Sequence, residues 1–350
     1  MDAAEFDYDL PDAAIAQTPV EPRDSARLLV DRGPGQDPDD RHVRDLPALL
    51  GPGDLVVLND TRVFNARLRL TKPTGGLVEV LLLESRGPGS GSGPIWEALV
   101  RPSRKVPAGT VLRGTAMDVS VGEDLGEGRR LVELIPHPTI DVAEAIAVDG
   151  ELALPPYIHE ALADPERYQT MFHGLEPGNR PGHDALESVA APTAGLHLTP
   201  DVLRRIVGAG AEVAMVRLAV GLGTFRPITA ERVEDHVMHE ERFGVPLEVQ
   251  AACERADRVV AVGTTVVRAL ESAARTVGAH GRTDLFIHGD YDFRVVDAMV
   301  TNFHVPRSSL LVMLDAFIGP PWKDLYATAL ARNYRFLSFG DAMFLSRRAR

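Results

Sequence analysis

Short apolar runs separated by turn residues fill the first half of the chain, whereas the second half alternates apolar runs with segments of helical spacing. Residues 54–58, Asp-Leu-Val-Val-Leu, follow the turn Gly51-Pro52-Gly53 and read as a buried strand. From about Leu68 the texture changes. Strand-like runs at 77–83, 95–100, 110–112, 117–121 and 130–135 succeed one another, divided by Gly, Pro and Ser clusters such as 85–94. Strands this close leave no room for crossover helices, so a small barrel or sandwich is predicted there. A helical pattern returns near 140–148. After Thr199 helices dominate: Thr199-Pro200 supplies an N-cap and a proline at the first helical position, and Gly208 and Gly210 close that helix. Residues 214–220 then read as a strand, 247–256 as a helix, 258–262 as a strand and 266–277 as a helix. That alternation predicts an α/β fold with a mostly parallel or mixed sheet. The expected organisation is a discontinuous α/β domain, 1–67 with 154–350, interrupted by an inserted small β-barrel domain at 68–153. Residues 173–186, rich in Pro and Gly, are expected to form a mobile loop.

Length agrees, since 350 residues correspond to about two domains. Hydrophobic and charged fractions of 45% and 25% exclude a disordered chain or a fibre. Lys plus Arg number 37 against 50 Asp plus Glu, a net charge of −13, so the overall field repels polyanions and a nucleic-acid partner requires a local basic patch. Cys253 is the lone cysteine. It permits neither an internal disulfide nor a CxxC zinc site, and its helical surroundings make it a small buried apolar side chain. The acidic start of the chain has the wrong charge for a secretory signal, and the apolar run 310–318, cut by Asp315, is far shorter than the ~18 to 20 residues of a membrane span. A soluble cytoplasmic protein is expected.

GxxxxGK[ST] and HExxH are absent, and the nearest approach to GxGxxG, residues 221–226, ends in Arg226. Four other stretches carry candidate chemistry. In 258–268 an apolar strand runs into Gly263-Thr264-Thr265 and a helix, which places backbone amides and two hydroxyls at a positive helix end; either a carboxylate or phosphate binds there or a Thr simply caps. The run 190–197, with Thr193, Ala194 and Gly195 before His197, is either a close approach of backbone to ligand with a proton-transfer group or a structural turn. His236 and His239 stand beside Glu240 and Glu241; either one of these histidines transfers protons or they are surface histidines among solvated acids, and no metal is expected. Asn59-Asp60-Thr61-Arg62 and Thr301-Asn302-Phe303-His304 each follow an apolar run, where strand ends of an α/β sheet converge on a crevice; either they contribute to it or they are structural turns, the first held by Asn and Asp hydrogen bonds.

Together with 6–11, 21–24, 53–68, 154–158, 166–170, 234–240 and 334–344, these stretches resemble, in order and across the chain, the S-adenosylmethionine:tRNA ribosyltransferase-isomerase family of queuosine biosynthesis. The resemblance implies an α/β domain with an inserted β-barrel. It also implies the reaction: the ribosyl part of S-adenosylmethionine moves to the aminomethyl group of a 7-deazaguanine in a tRNA anticodon loop and rearranges to an epoxycyclopentane, with loss of adenine and methionine. S-adenosylmethionine is then a consumed substrate, and no further cofactor or metal is expected. Partners are S-adenosylmethionine and the tRNA, without a membrane, and the chain is expected to be a monomer or weak oligomer.

The sulfonium acidifies the adjacent C5′–H, so a positioned base starts the chemistry; His197, His239, His304 and Asp60 are the candidates. Phe303 is expected to stack on adenine, and Gly263-Thr264-Thr265 with Arg268 to hold the methionine carboxylate. Arg62, Arg226, Arg101, Arg104 and Lys105 are candidates for tRNA phosphates. Departures from the family pattern stand at Ala219 in place of His, Glu187 in place of Gly, Leu198 in place of Phe, His288-Gly289-Asp290 in place of a Tyr-Pro-Gly-like turn, and Asp315 in place of Ser. They leave open a small-molecule acceptor, or an inactive relative that only binds RNA or a nucleoside.

Overall fold

The computed structural model describes residues 1–89, 93–173, 188–221 and 227–348. It is a mixed α/β structure with two sheets, and the chain divides into two compact units: Met1–Arg62 with Pro155–Arg180 and Ala191–Arg350, and Val63–Leu154 with Pro181–Ala190.

The first unit is built on nine strands: β1 (Arg27–Val30), β2 (Asp39–His42), β3 (Asp54–Asn59), β11 (Glu212–Leu218), β12 (Glu241–Gly244), β13 (Arg258–Val262), β14 (His280–Thr283), β15 (Ala298–Asn302) and β16 (Ala342–Ser346). Their order is β14-β12-β11-β3-β13-β15-β16-β1-β2. β3 is buried at every residue, as its unbroken apolar run requires, and is flanked in parallel by β11 and β13, with β15 parallel beyond β13. The sheet is mixed: β16 is antiparallel to β15 but parallel to β1, and the edge strands β2 and β14, like β12 inside β14, pair antiparallel. Val56, Leu58, Val260, Val262, Ala298 and Val300, alternate positions on their strands, form one core with Val202 and Ile206 of α2 (Pro200–Gly208). Thr199 caps α2 as its sequence predicts, its hydroxyl accepting from Val202 N at 3.3 Å.

The remaining helices of this unit are α3 (Leu247–Arg255), α4 (Thr264–Ala273), α5 (Ser309–Ile318) and α6 (Trp322–Ala331). The helix expected over 266–277 thus begins and ends earlier. Gly263, at φ +99°, turns the chain straight out of β13, so that Thr264 and Thr265 are its first helical residues. The apolar run 310–318 lies in α5, and among the described residues no helix is long and apolar enough to cross a membrane. Cys253 is half-buried on α3 and not fully enclosed, and burial still pushes its thiol up to about 11. Such a thiol is protonated and unreactive at neutral pH.

The second unit is an antiparallel sheet of β4 (Arg67–Thr71), β5 (Leu77–Pro88), β6 (Pro94–Arg101), β7 (Val111–Arg113), β8 (Met117–Gly126), β9 (Arg129–Pro136) and β10 (Gly150–Glu151), in the order β10-β4-β5-β6-β9-β8-β7. β4 also meets β7 through Thr71 and Arg113. Leu68, Leu70, Met117, Val119, Val121, Val132 and Leu134 turn to the buried side at every second position, the alternation of a sheet buried on one face. Its helix α1 (Val142–Asp149) ends in a carboxylate that accepts the amides of Thr115, Ala116 and Met117.

Candidate active site

The parallel register brings strand ends together. Asn59 stands beside Val216, Val57 beside Ala261 and Val262 beside Val300, so β3, β11, β13 and β15 finish on the same edge of the sheet. β11 flanks β3 on one side and β13 on the other, and the carboxyl ends of parallel strands are where an α/β sheet gathers a ligand crevice. Asn59 ties the edge together: its amide nitrogen donates to Leu218 O at 3.1 Å and Thr265 Oγ1 at 3.4 Å, and its oxygen accepts from Thr61 N at 3.2 Å.

One cleft lies on that edge. It is lined by Tyr157, by 191–194 with Thr193 and Ala194, by Val220, by Gly263, Thr264 and Thr265 at the start of α4, by 301–305 after β15, by Ser308 and Leu310 at the start of α5, and by Leu337 and Ser338. Two helix N-termini therefore face it. Thr264 and Thr265 precede the first intrahelical bond of α4, from Val266 N to Gly263 O, so their amides are available to an anion. Ser308 caps α5 by accepting from Leu311 N, and Tyr157 and Ser338 share a hydrogen bond of 2.8 Å.

His304 is buried at the rim of the cleft, with Nε2 3.0 Å from Thr301 Oγ1, and burial holds its pKa down to about 3. His197 is not in this lining. It sits one hydrogen bond behind it, with Nε2 3.2 Å from Asn302 Nδ2, in a neighbouring recess with Arg23, Arg167 and Ser338. Burial, and then the guanidinium groups of Arg335, Arg23 and Arg167, lower its pKa to about 4. Both imidazoles are neutral at physiological pH.

Other expected positions lie elsewhere or are differently engaged. Asp60 is buried and accepts two hydrogen bonds from Arg217, at 3.1 and 3.4 Å, so its charge is already matched. Arg268 is not free for a carboxylate: it is ion-paired with buried Glu241 and donates to Leu285 O. Phe303 forms part of the cleft wall, but its ring is fully buried, stacked on Phe336 at 4.5 Å and edge-on to Tyr326 and Tyr334, and so serves as core packing behind the cleft. Gly195 turns away from the cleft; an added Cβ there would come within 2.9 Å of Phe172. His239 is exposed, whereas His236 packs edge-on against Phe286. Arg62, Arg101, Arg104 and Lys105 are exposed, the last three around the turn at Ser103–Lys105. Arg226, Glu187 and nearly all of the loop expected at 173–186 lie outside the described residues. Among the described residues no group of three or more His, Cys, Asp or Glu side chains is gathered as a metal site.

The departures from the family pattern sort by place. His288, Gly289, Asp290 and Asp315 line one cleft with Glu5, Glu234 and Lys323, which shares no lining residue with the cleft of Thr193 and His304. Leu198 is core, packed with Val202 and Phe172. Ala219 follows β11, its amide bonded to Arg242 O.

Residues 3–345 match the family model described as queuosine biosynthesis protein. The chain belongs to that family. Within the queuosine biosynthesis family it is 47% identical over 347 residues to the S-adenosylmethionine:tRNA ribosyltransferase-isomerase of Rubrobacter xylanophilus, covering 99% of this chain and 98% of that one. Identity to the Moorella thermoacetica protein of the same name is 45%, over 99% of this chain and 100% of the relative. The crystal structure of the Thermotoga maritima S-adenosylmethionine tRNA ribosyltransferase superposes with a TM-score of 0.53 at 36% identity, covering 97% of this chain and 99% of that chain. Ser308 lines the cleft but carries no signal in the sequence, because a lone polar residue in a loop is ordinary; Tyr157 and Ser338 fall within the stretches 154–158 and 334–344 without standing out there, and Asn302 within 301–304 has partners more than a hundred residues away.

Proposed function

We propose that this protein is an S-adenosylmethionine:tRNA ribosyltransferase-isomerase of queuosine biosynthesis. It moves the ribosyl group of S-adenosylmethionine onto the aminomethyl-deazaguanine of a tRNA and releases adenine and methionine. Relatives of that name, aligned over nearly the entire chain, carry this reading. The cleft supports it. The sulfonium nucleoside binds along the edge of the sheet, with its methionine carboxylate at the amides of Thr264 and Thr265, where a helix end favours an anion. Thr193, Ala194 and Gly263 present small side chains or bare backbone to the ligand. His304, which lines the cleft, is the base we assign to the C5′ proton, whereas Asp60 is committed to Arg217. A neutral imidazole accepts a proton without first losing one. S-adenosylmethionine is consumed, and the reading needs no other cofactor. The seven-stranded sheet, with its Thr71–Arg113 contact between β4 and β7, is in this reading the inserted barrel of residues 68–153.

The test is incubation with S-adenosylmethionine and tRNA bearing the aminomethyl-deazaguanine, followed by chromatography. Free adenine and an altered anticodon base are expected. Adenine release only with a small-molecule acceptor, or ligand binding without turnover, would overturn the assignment.

Arg101, Arg104 and Lys105 make no ion pair among the described residues, which is the condition for a phosphate contact. Neutralising Arg104 and Lys105 together is expected to lower tRNA affinity and to reduce the slope of log affinity against log salt by about 1.4–1.8, the counterions of two phosphates. Affinity for S-adenosylmethionine should not change, and an unaltered salt slope would remove the pair from the RNA contact.

A further inference from the structure

Asn302, the last residue of β15, is 3% exposed and bonds to both ends of the short helical turn Thr193–His197. Its Nδ2 lies 3.2 Å from His197 Nε2, 3.3 Å from Leu337 O and 3.5 Å from Asp341 O, and its Oδ1 lies 2.9 Å from Thr193 Oγ1. The two backbone carbonyls only accept, so they fix which end of the amide is nitrogen. Two consequences follow in turn. The nitrogen carries two hydrogens and cannot accept; its two shorter contacts, to His197 and Leu337, take them, so His197 Nε2 must offer its lone pair, and the ring proton must sit on Nδ1. The oxygen facing Thr193 is an acceptor, so the Thr193 hydroxyl spends its hydrogen on Asn302 and has only lone pairs left.

We propose that Asn302 is a positioning residue of this cleft: its amide locks the proton of His197 on Nδ1 and makes Thr193 a hydrogen-bond acceptor toward the substrate. Thr193 then selects for a donor on the bound molecule, of the class of an ammonium, an exocyclic amine or a sugar hydroxyl. S-adenosylmethionine carries all three, and this second half of the proposal rests on the function assigned above. The first half does not. His197 also remains neutral under the push of burial and of Arg335, Arg23 and Arg167, so the ring has one tautomer to choose and Asn302 chooses it.

Long-range proton–nitrogen correlation spectra of the 15N-histidine-labelled protein, without ligand, test the first half directly. His197 should show a protonated Nδ1 and an unprotonated Nε2; protonation on Nε2 would overturn the assignment. Asn302→Asp replaces the donor with an acceptor, and it is expected to move the His197 proton to Nε2 and to raise the pH at which the ring titrates. If that variant does not fold, the wild-type spectrum still decides. For the second half, Thr193→Val should weaken S-adenosylmethionine binding about 10-fold in calorimetry, the worth of one good hydrogen bond. Thr193→Ser should restore it, and the His197 tautomer should stay as in wild type. Equal binding by Thr193→Val and wild type would overturn the acceptor role. A wild-type protein that binds no S-adenosylmethionine would instead overturn the reading of function and leave the tautomer result standing.

Discussion

Glu271→Ala is expected to destabilise the unit built on the nine-stranded sheet by about 3–5 kcal/mol, the range for removing one partner of a buried charged cluster. The side chain is wholly buried near the end of α4. Its two oxygens accept from the amides of Arg294, Val295 and Val296 at 3.0–3.2 Å, from Tyr291 at 3.3 Å, and from Arg275, one helical turn on, at 2.9 Å. Alanine leaves the amides of Arg294, Val295 and Val296 without the acceptor they share. The carboxylate also clamps α4, whose first turn lines the cleft, to the segment that leads into β15, whose last residue is Asn302. Activity should therefore fall in step with the native fraction. Urea denaturation followed by tryptophan fluorescence measures the loss, since Trp322 lies in this unit. Glu271→Gln, which keeps one acceptor oxygen, should fall between alanine and wild type; an alanine midpoint equal to wild type would refute the clamp.

How far the sequence discloses this architecture depends on whether side chains or backbone decide each element. β3 and β13 are legible because both faces are buried, and Leu-Val-Val-Leu and Val-Val-Ala-Val leave no other use for those residues. α2 is legible from its cap. The edge strands are not. β2 reads Asp-Asp-Arg-His and β14 reads His-Gly-Arg-Thr, and each is a strand because a neighbour supplies backbone partners, which no local pattern records. The same division runs through the cleft. Thr193, Gly263, Thr264 and His304 announce themselves as small, hydroxylated or titratable residues at turns after apolar runs, and the fold does gather them. What a side chain is already bonded to is another matter. Asp60 looks like a free carboxylate until Arg217, on β11, closes on it, and Arg268 looks like a free cation until Glu241 does. Phe303 follows a polar residue at a strand end and so reads as a ring presented to a ligand. Three aromatic rings, from Tyr326, Tyr334 and Phe336, turn it into core. His197 shows the converse case, a titratable residue in a suggestive motif whose contact with the cleft runs through the amide of Asn302.

Those two buried imidazoles set the second large expectation, a steep loss of stability on mild acidification. Unfolded, His197 and His304 titrate near 6.5; folded, burial holds them at about 4 and about 3. The folded-state values are depressed, so the unfolded chain binds more protons throughout the interval between. Stability is therefore fully present above pH 6.5 and is lost as pH falls toward the folded values. Two protons taken up on unfolding give a slope of about 2.7 kcal/mol per pH unit below 6.5, or roughly 4 kcal/mol lost by pH 5. Asp40 and Asp54, whose carboxyls are held below their ordinary range by Tyr334, Arg332 and Arg27 and by Arg258 and the Gly51 amide, add their own loss only at lower pH, which leaves the window from 6.5 to 5 to histidine. His236, shifted the same way but only partly buried, adds a smaller share. Denaturant midpoints between pH 7.5 and 5 check the slope, and His304→Asn should remove about half of it. Midpoints that stay level across that window would show that the two imidazoles titrate alike in the folded and unfolded chain, and would refute their enclosure.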